Sequence, residues 1–121
     1  MLVEKELVYQ ISGCVFAVYK ELGHGFLEKV YEKALRIELE RQGFTVEVQK
    51  PIQVMYKGEV VGDYLADIVV TNKIIIELKA QSNLHKAHET QIINYLKATG
   101  IEVGLLVNFA YPKATIKRYV L

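Results

Sequence analysis

Cysteine and long apolar runs are scarce in this chain of 121 residues. Its single cysteine, Cys14, excludes an intramolecular disulfide and any multi-cysteine metal site. Cys14 falls on the apolar stripe of a predicted helix, so we expect a small core residue and not a nucleophile. No apolar run approaches the roughly 18 residues that a membrane-spanning helix needs. The N-terminal residues do not resemble a signal peptide. We therefore expect a cytoplasmic protein without membrane contact.

A charge excess is also absent, because 15 basic residues stand against 14 acidic ones. A net charge of +1 argues against a strong nonspecific nucleic-acid binder driven by phosphate neutralisation. Local basic clusters remain at Lys113, Lys117 and Arg118, and around Lys79 and Lys86. We interpret the C-terminal cluster as the solvated face of a last strand. The length predicts one domain, residues 1–121, with a core of its own.

The apolar pattern changes period along the chain and predicts both helices and strands. Helices are predicted over residues 3–22, from Phe26 or Leu27 to Gly43, and over 87–99. Strands are predicted over 44–49, 52–56, 59–61, around Asp67, and over 74–79, 103–107 and 115–121, with Pro51 as an interruption. The order is helix, helix, three or four antiparallel strands, helix, strand, strand. This order predicts an α/β fold with a mixed sheet, helices on its faces and one right-handed crossover.

Three charged residues lie in two of the most apolar strands. Asp67 stands in Tyr-Leu-Ala-Asp-Ile-Val-Val, and Glu77 and Lys79 close the run Ile-Ile-Ile-Glu-Leu-Lys. Such charges are costly to bury unless they are paired or bind a cation. The alternative is an ion pair on a solvated sheet face, which is common for any isolated match of this kind.

The register of these two strands decides whether the charges meet. Residues 71–73 form a short polar link, which predicts an antiparallel hairpin. A three-residue loop makes opposed residue numbers sum to 144, so Asp67 faces Glu77 and Lys79 shares the face of Glu77. Adjacent carboxylates repel each other, and a divalent cation resolves that repulsion. Oxygen ligands with room for water favour Mg²⁺ or Mn²⁺ over Zn²⁺.

The constellation of Asp67, Glu77 and Lys79 resembles the PD-(D/E)XK nuclease superfamily, which has the restriction-endonuclease-like fold. The chain also resembles a branch of it, the small prokaryotic GxxExxY proteins. The motifs that carry this resemblance are Gly25-Phe-Leu-Glu-Lys-Val-Tyr31, Ile76-Glu-Leu-Lys79, His88-Glu-Thr-Gln91 with Asn94-Tyr-Leu96, and Val103–Phe109. His24 stands where the branch usually has proline. The resemblance implies a restriction-endonuclease-like core and metal-dependent cleavage of nucleic acid, with DNA favoured over RNA. It implies that Asp67 and Glu77 bind the metal and that Lys79 is catalytic.

Five further residues become site candidates through the same resemblance. Glu28 is expected to be a third acidic ligand or a catalytic holder of water, although a carboxylate in the first turn of a helix is also favourable by itself. Tyr31, on the same face, either bonds to Glu28 or packs. Gln91 is expected to orient water or a phosphate in catalysis. Tyr95, four residues later, either donates to a phosphate oxygen or is a half-buried core residue. His88 is expected to support residues that contact the metal or the substrate.

Two other functions stay open at this point. A non-catalytic module could use the same fold to hold nucleic acid or a protein, although a scaffold has no physical need for three clustered charges. A subunit could also cut only within a homodimer or together with a partner protein. The sequence indicates neither strand type nor sequence specificity.

Overall fold

A computed structural model describes residues 4–121, which form three helices and five strands. In chain order the elements are α1 (Lys5–Leu22), α2 (Glu28–Arg41), β1 (Val46–Tyr56), β2 (Glu59–Val70), β3 (Ile74–Lys79), α3 (Lys86–Thr99), β4 (Val103–Phe109) and β5 (Ala114–Val120). The start of the first predicted helix, residue 3, lies outside the described residues. Among residues 4–121, no helix is both long and apolar enough to cross a membrane.

The five strands form one mixed sheet whose spatial order follows the chain, β1-β2-β3-β4-β5. β3 and β4 are parallel and are connected through α3, whereas the other neighbouring pairs are antiparallel. All seven residues of β4 are buried, as its almost continuous apolar sequence predicts for a strand covered on both faces. The architecture confirms the predicted fold class.

Helices cover the two faces of this sheet. The apolar stripes of α1 and α2 pack with β3 and β4 in one cluster, and Cys14 is buried within it. Burial, followed by the nearby charge of Glu38, raises the pKa of the Cys14 thiol, as expected for a core cysteine. On the other face, α3 contributes Tyr95 and Leu96 to a second cluster with Ile75. The sheet therefore lies between α1 and α2 on one face and α3 on the other.

The first hairpin differs from the sequence prediction in two ways. The sequence predicts a break at Pro51, whereas β1 runs through it without interruption. β1 is an edge strand, and edge strands tolerate the missing N–H of proline. The sequence also allows a separate short strand at residues 59–61, whereas these residues begin the long strand β2. Three antiparallel strands, not four, therefore precede α3.

The hairpin of β1 and β2 extends beyond the rest of the sheet. β3 pairs only with residues 68–70 of β2. In the described part of the chain, residues 59–66 pair with β1 alone, and this two-stranded segment is called the arm below. The arm exposes several large apolar side chains, namely Met55, Tyr56, Val60, Val61, Tyr64 and Leu65.

Candidate active site

The two predicted carboxylates meet where β2 and β3 separate. The ladder pairs Ile68 with Ile76, which confirms the predicted register, and it ends there. Beyond that pair, the backbone N–H of Asp67 donates to Glu77 Oε1 at 3.2 Å. The backbone N–H of Leu78 donates to Asp67 Oδ2 at 2.8 Å. Each carboxylate thus binds the backbone of the opposite strand, and these two bonds hold the acidic side chains together.

Glu77 is the buried carboxyl group of this site, and the residue is only 3% exposed. Burial and the negative charge of Asp67 raise the pKa of Glu77 from 4.5 to about 8, while the charge of Lys79 acts in the opposite direction. Glu77 is therefore mostly protonated at neutral pH when no cation compensates its charge.

A small cleft of about 210 Å³ opens between Asp67 and α2, and Glu77 does not line it. Its lining consists of Asp67, Leu78, Gln49 of β1, and Glu28, Lys29 and Glu32 of α2, with Lys29 ion-paired to Glu32 at 3.4 Å. The Gln49 amide donates to Glu32 Oε2 at 2.6 Å and to Asp67 Oδ1 at 3.3 Å. Glu28, the first residue of α2, is exposed at the cleft. One amide therefore bridges two carboxylates, and a third carboxylate lies in the same cleft.

The backbone of Gln49 is strained at this point. Its φ angle is 50°, in the left-handed region that non-glycine residues seldom adopt. The ladder between β1 and β2 is intact at Val48 with Ile68 and at Lys50 with Ala66, so the irregularity is confined to Gln49 and the opposing Asp67. Such a conformation costs about 1–3 kcal/mol and is concentrated at functional sites.

Lys79 and His88 connect the carboxylates to α3. Lys79 ends β3 and is half-buried. The pKa of His88 is lowered mainly by burial and then by the positive charges of Lys79 and His85. The charge of Glu28 acts in the opposite direction. His88 Nδ1 also accepts the backbone N–H of His85, the N-cap residue of α3, at 3.3 Å. His88 is therefore neutral at pH 7 and within the electrostatic reach of Lys79 and Glu28.

Gln91 and Tyr95 bind each other on α3. The Gln91 amide donates to the Tyr95 hydroxyl at 2.8 Å. Burial, followed by the charge of Glu77, raises the pKa of Tyr95, so the hydroxyl is within the electrostatic reach of Glu77. Both residues, with His88, line a larger groove between α3 and the arm and do not line the cleft beside α2. The candidates that line a cavity are thus divided between two, with Glu28 and Asp67 in the cleft and His88, Gln91 and Tyr95 in the groove.

Tyr31 has a different set of contacts from Glu28. Its side chain is fully buried and stacks on Phe109, with ring centroids 4.3 Å apart. Its hydroxyl donates to the carbonyl of Gly23 at 2.7 Å and accepts the N–H of Phe26 at 3.3 Å. Of the two options that the sequence left open, the structure shows packing, together with bonds to the loop before α2. Tyr31 thereby fixes the segment from which Glu28 enters the cleft.

The sequence prediction missed three residues beside the site. Glu32 and Gln49 both line the cleft and are joined by a hydrogen bond, and the spacing of Glu28 and Glu32, one helical turn apart, is the signal that indicates a shared face. Asn108 is buried in β4, where its amide binds both the N–H and the carbonyl of Gln81. An amide inside an otherwise apolar strand is the signal for such a buried partner.

The donor set suits a hard divalent cation. Mg²⁺ is usually bound through one or two protein carboxylates and keeps several water ligands. Asp67 and Glu77 provide such a pair, and a bound cation would compensate the charge of the two carboxylates. Within residues 4–121, no three Asp, Glu, His or Cys side chains form a ready cluster for a metal. The role of Glu28 as a third ligand therefore stays a prediction.

Known proteins show the same architecture. Among solved structures, the crystal structure of SSO0001 is similar, with a TM-score of 0.61 and 22% identity. The match covers 97% of this chain and 59% of that one, so the chain spans about three-fifths of its length, and the likeness concerns the fold alone. No protein of curated function matches the sequence. The family model of the PD-(D/E)XK nuclease superfamily matches residues 5–119. The chain therefore belongs to the PD-(D/E)XK nuclease superfamily.

Proposed function

We propose that this protein hydrolyses phosphodiester bonds of nucleic acid with the help of Mg²⁺ or Mn²⁺. The observation that carries the proposal is a pair of hydrogen bonds, in which Glu77 accepts the backbone N–H of Asp67 and Asp67 accepts the backbone N–H of Leu78. These bonds hold a buried and a half-buried carboxylate together, where they repel each other unless a proton or a cation lies between them. Superfamily membership supports the same activity.

The proposed roles of the central residues follow from their chemistry. Asp67 and Glu77 hold the cation, together with the backbone carbonyl of Leu78. When bound, the cation lowers the pKa of water and neutralises charge on the phosphate. Lys79 lies two residues beyond Glu77 on the same strand, and its ammonium group stabilises the negative charge that develops on the phosphate. Loss of Lys79 should therefore lower turnover more than cation affinity.

The surrounding residues have supporting roles in this proposal. Glu28 lies in the same cleft as Asp67 and binds the cation directly or through water. Gln91 orients the attacking water or a phosphate. Tyr95 binds Gln91 and donates to a phosphate oxygen, and His88 supports the site from the same helix, α3. Tyr31 holds the loop before Glu28 in place.

A cleavage assay on labelled single-stranded and double-stranded DNA and RNA tests the proposal. Asp67→Asn, Glu77→Gln and Lys79→Met should each lower Mg²⁺-dependent cleavage at least about 100-fold, as expected when a group that stabilises developing charge is removed. Asp63→Asn is the matched control, because Asp63 is an exposed residue of the same strand outside the cleft. Cleavage that persists in EDTA, or an Asp67→Asn variant as active as wild type, would contradict the proposal.

We propose that residues 1–121 form one domain, that it acts in the cytoplasm and that DNA is its substrate in preference to RNA. A second copy of the chain or a partner protein completes the assembly on the nucleic acid. Size-exclusion chromatography with and without DNA checks this point, and a monomer that cleaves at full rate would contradict it.

A further inference from the structure

Beside the carboxylates lies a second groove, between the arm and α3, with a volume of about 810 Å³. This volume is within the range of ligand-binding pockets, roughly 300–1,000 Å³. Tyr95 lines the groove, and burial followed by the charge of Glu77 raises the pKa of its hydroxyl. The groove therefore neighbours the carboxylates, although neither carboxylate lines it.

The groove carries too little positive charge to be a binding surface for a nucleic-acid backbone. Of the described residues that line it, none is Asp or Glu, and Lys97 is the one lysine or arginine. A surface that holds a duplex through its phosphates needs several lysine or arginine contacts. The lining is instead composed of amides, aromatic rings and apolar groups. This composition suits a neutral, flat, polar-edged ligand.

Tyr64 presents an aromatic face in this groove. The residue is 49% exposed, although it is a large side chain. Gly62 lies against the ring, since a Cβ at that position would stand 3.0 Å from Tyr64 Cε2. On another side the ring meets Tyr95, with centroids 5.7 Å apart and planes inclined by 49°. Tyr64 is therefore held in one orientation with much of its surface open, as a stacking platform requires.

Three amide side chains complete the lining, namely those of Gln53, Gln91 and Asn94. An amide offers both donors and an acceptor, which is the pattern needed to pair with the edges of nucleobases. The amide nitrogen of Gln91 already donates to Tyr95, so the orientation of this amide is set before a ligand arrives. Stacking on Tyr64 and hydrogen bonds to these amides are available in the same cavity.

We propose that the groove between the arm and α3 binds an unpaired nucleobase of the strand that the neighbouring carboxylates cut. This proposal rests on the nuclease function proposed above and specifies its substrate class. The preferred substrate is a nucleic acid with unpaired nucleotides, such as a single strand, a loop or a bubble. A fully paired duplex keeps its bases inside the helix and cannot fill the groove.

Binding of a short oligonucleotide with one 2-aminopurine base tests the proposal. The full chain is titrated in EDTA against the single strand and the matching duplex, as DNA and as RNA, and fluorescence quenching reports stacking of the base. Wild type should quench and bind the single strand more tightly than the duplex. Tyr64→Ala should weaken binding at least about fivefold, the lower end for loss of one stacked base. Tyr56→Ala is the matched control, because Tyr56 is exposed on the same arm outside the groove.

Two more variants separate stacking from folding. Tyr64→Phe keeps the ring and should bind like wild type, whereas Tyr64→Ile keeps a bulky strand residue without a ring and should bind like Tyr64→Ala. Equal binding by wild type and Tyr64→Ile, or a preference for duplex, would overturn the proposal. Because EDTA removes the cation, base binding without any Mg²⁺-dependent cleavage would count against the nuclease function alone. The DNA and RNA arms identify which of the two carries the base.

Discussion

Replacing Glu77 by glutamine removes a carboxyl group whose pKa is raised from 4.5 to about 8 by burial and by the charge of Asp67. Between these two values the folded chain holds a proton that the unfolded chain has lost. The free energy of unfolding therefore falls as the pH rises through this window. The contribution is complete below about pH 4.5 and lost above about pH 8. At about 1.4 kcal/mol for each tenfold change in proton affinity, the whole effect is roughly 5 kcal/mol.

The Glu77→Gln variant should be free of this pH dependence. Glutamine is neutral, and its side-chain oxygen can still accept the N–H of Asp67, so it mimics the protonated acid. Urea unfolding followed by circular dichroism measures the difference. Between pH 6 and pH 9, wild type should lose roughly 3 kcal/mol relative to Glu77→Gln. Glu59→Gln, which changes an exposed carboxylate of β2, is the control and should follow wild type. Parallel curves for wild type and Glu77→Gln would refute the reasoning.

Mg²⁺ should act on the same carboxyl group. Binding to the ionised pair displaces the proton of Glu77, so the apparent Mg²⁺ affinity should rise about tenfold for each pH unit below pH 8 and level off above it. Added Mg²⁺ should therefore restore stability mainly at high pH. Equal stabilisation of wild type and Glu77→Gln by Mg²⁺ would show that Glu77 is not a ligand.

Two further predictions concern residues that hold loops beside the site. Tyr31→Phe removes the hydrogen bonds of the hydroxyl to Gly23 and Phe26 and should lower the free energy of unfolding by about 1–2 kcal/mol. An unchanged midpoint of thermal unfolding would contradict this prediction. Asn108→Leu breaks both hydrogen bonds to the backbone of Gln81 and should lower the free energy of unfolding in urea by about 2–3 kcal/mol. A variant as stable as wild type would show that these bonds make no net contribution to stability.

The meeting of Asp67 and Glu77 is predictable because it depends on local rules. A three-residue turn sets the register of a hairpin, and alternation along the strands sets the face of each side chain. The observed pairing of Ile68 with Ile76 follows that register. Local rules do not predict that the ladder ends at Ile68 and Ile76. Beyond that pair, the carboxylates of Asp67 and Glu77 accept the backbone N–H groups of the opposite strand.

The rest of the cleft depends on how distant segments pack. Glu32 and Gln49 look like ordinary surface residues in their own segments, and they become cleft residues only because α2 lies beside β1. The left-handed backbone of Gln49 is equally invisible, since nothing in the local sequence requires it. At Pro51, by contrast, the local sequence predicts a break that the fold does not have. β1 is an edge strand, so the missing N–H of proline costs no hydrogen bond of the sheet.

Tyr31 shows the limit of spacing rules on a helix. Three residues of separation place Tyr31 and Glu28 on neighbouring positions of one face, but the length of a tyrosine side chain lets its hydroxyl reach the carbonyl of Gly23 instead. The groove beside α3 is similarly absent from any local pattern, because the arm and α3 meet only through the fold of the whole sheet.

Calorimetric titration of Mg²⁺ into wild type, Asp67→Asn and Asp63→Asn tests the central claim most directly. The account predicts saturable binding by wild type and Asp63→Asn, with release of a proton near neutral pH, and loss of binding in Asp67→Asn. Repeating the titration in buffers with different ionisation enthalpies measures the proton. No saturable binding by wild type at millimolar Mg²⁺, or equal binding by Asp67→Asn, would contradict the account.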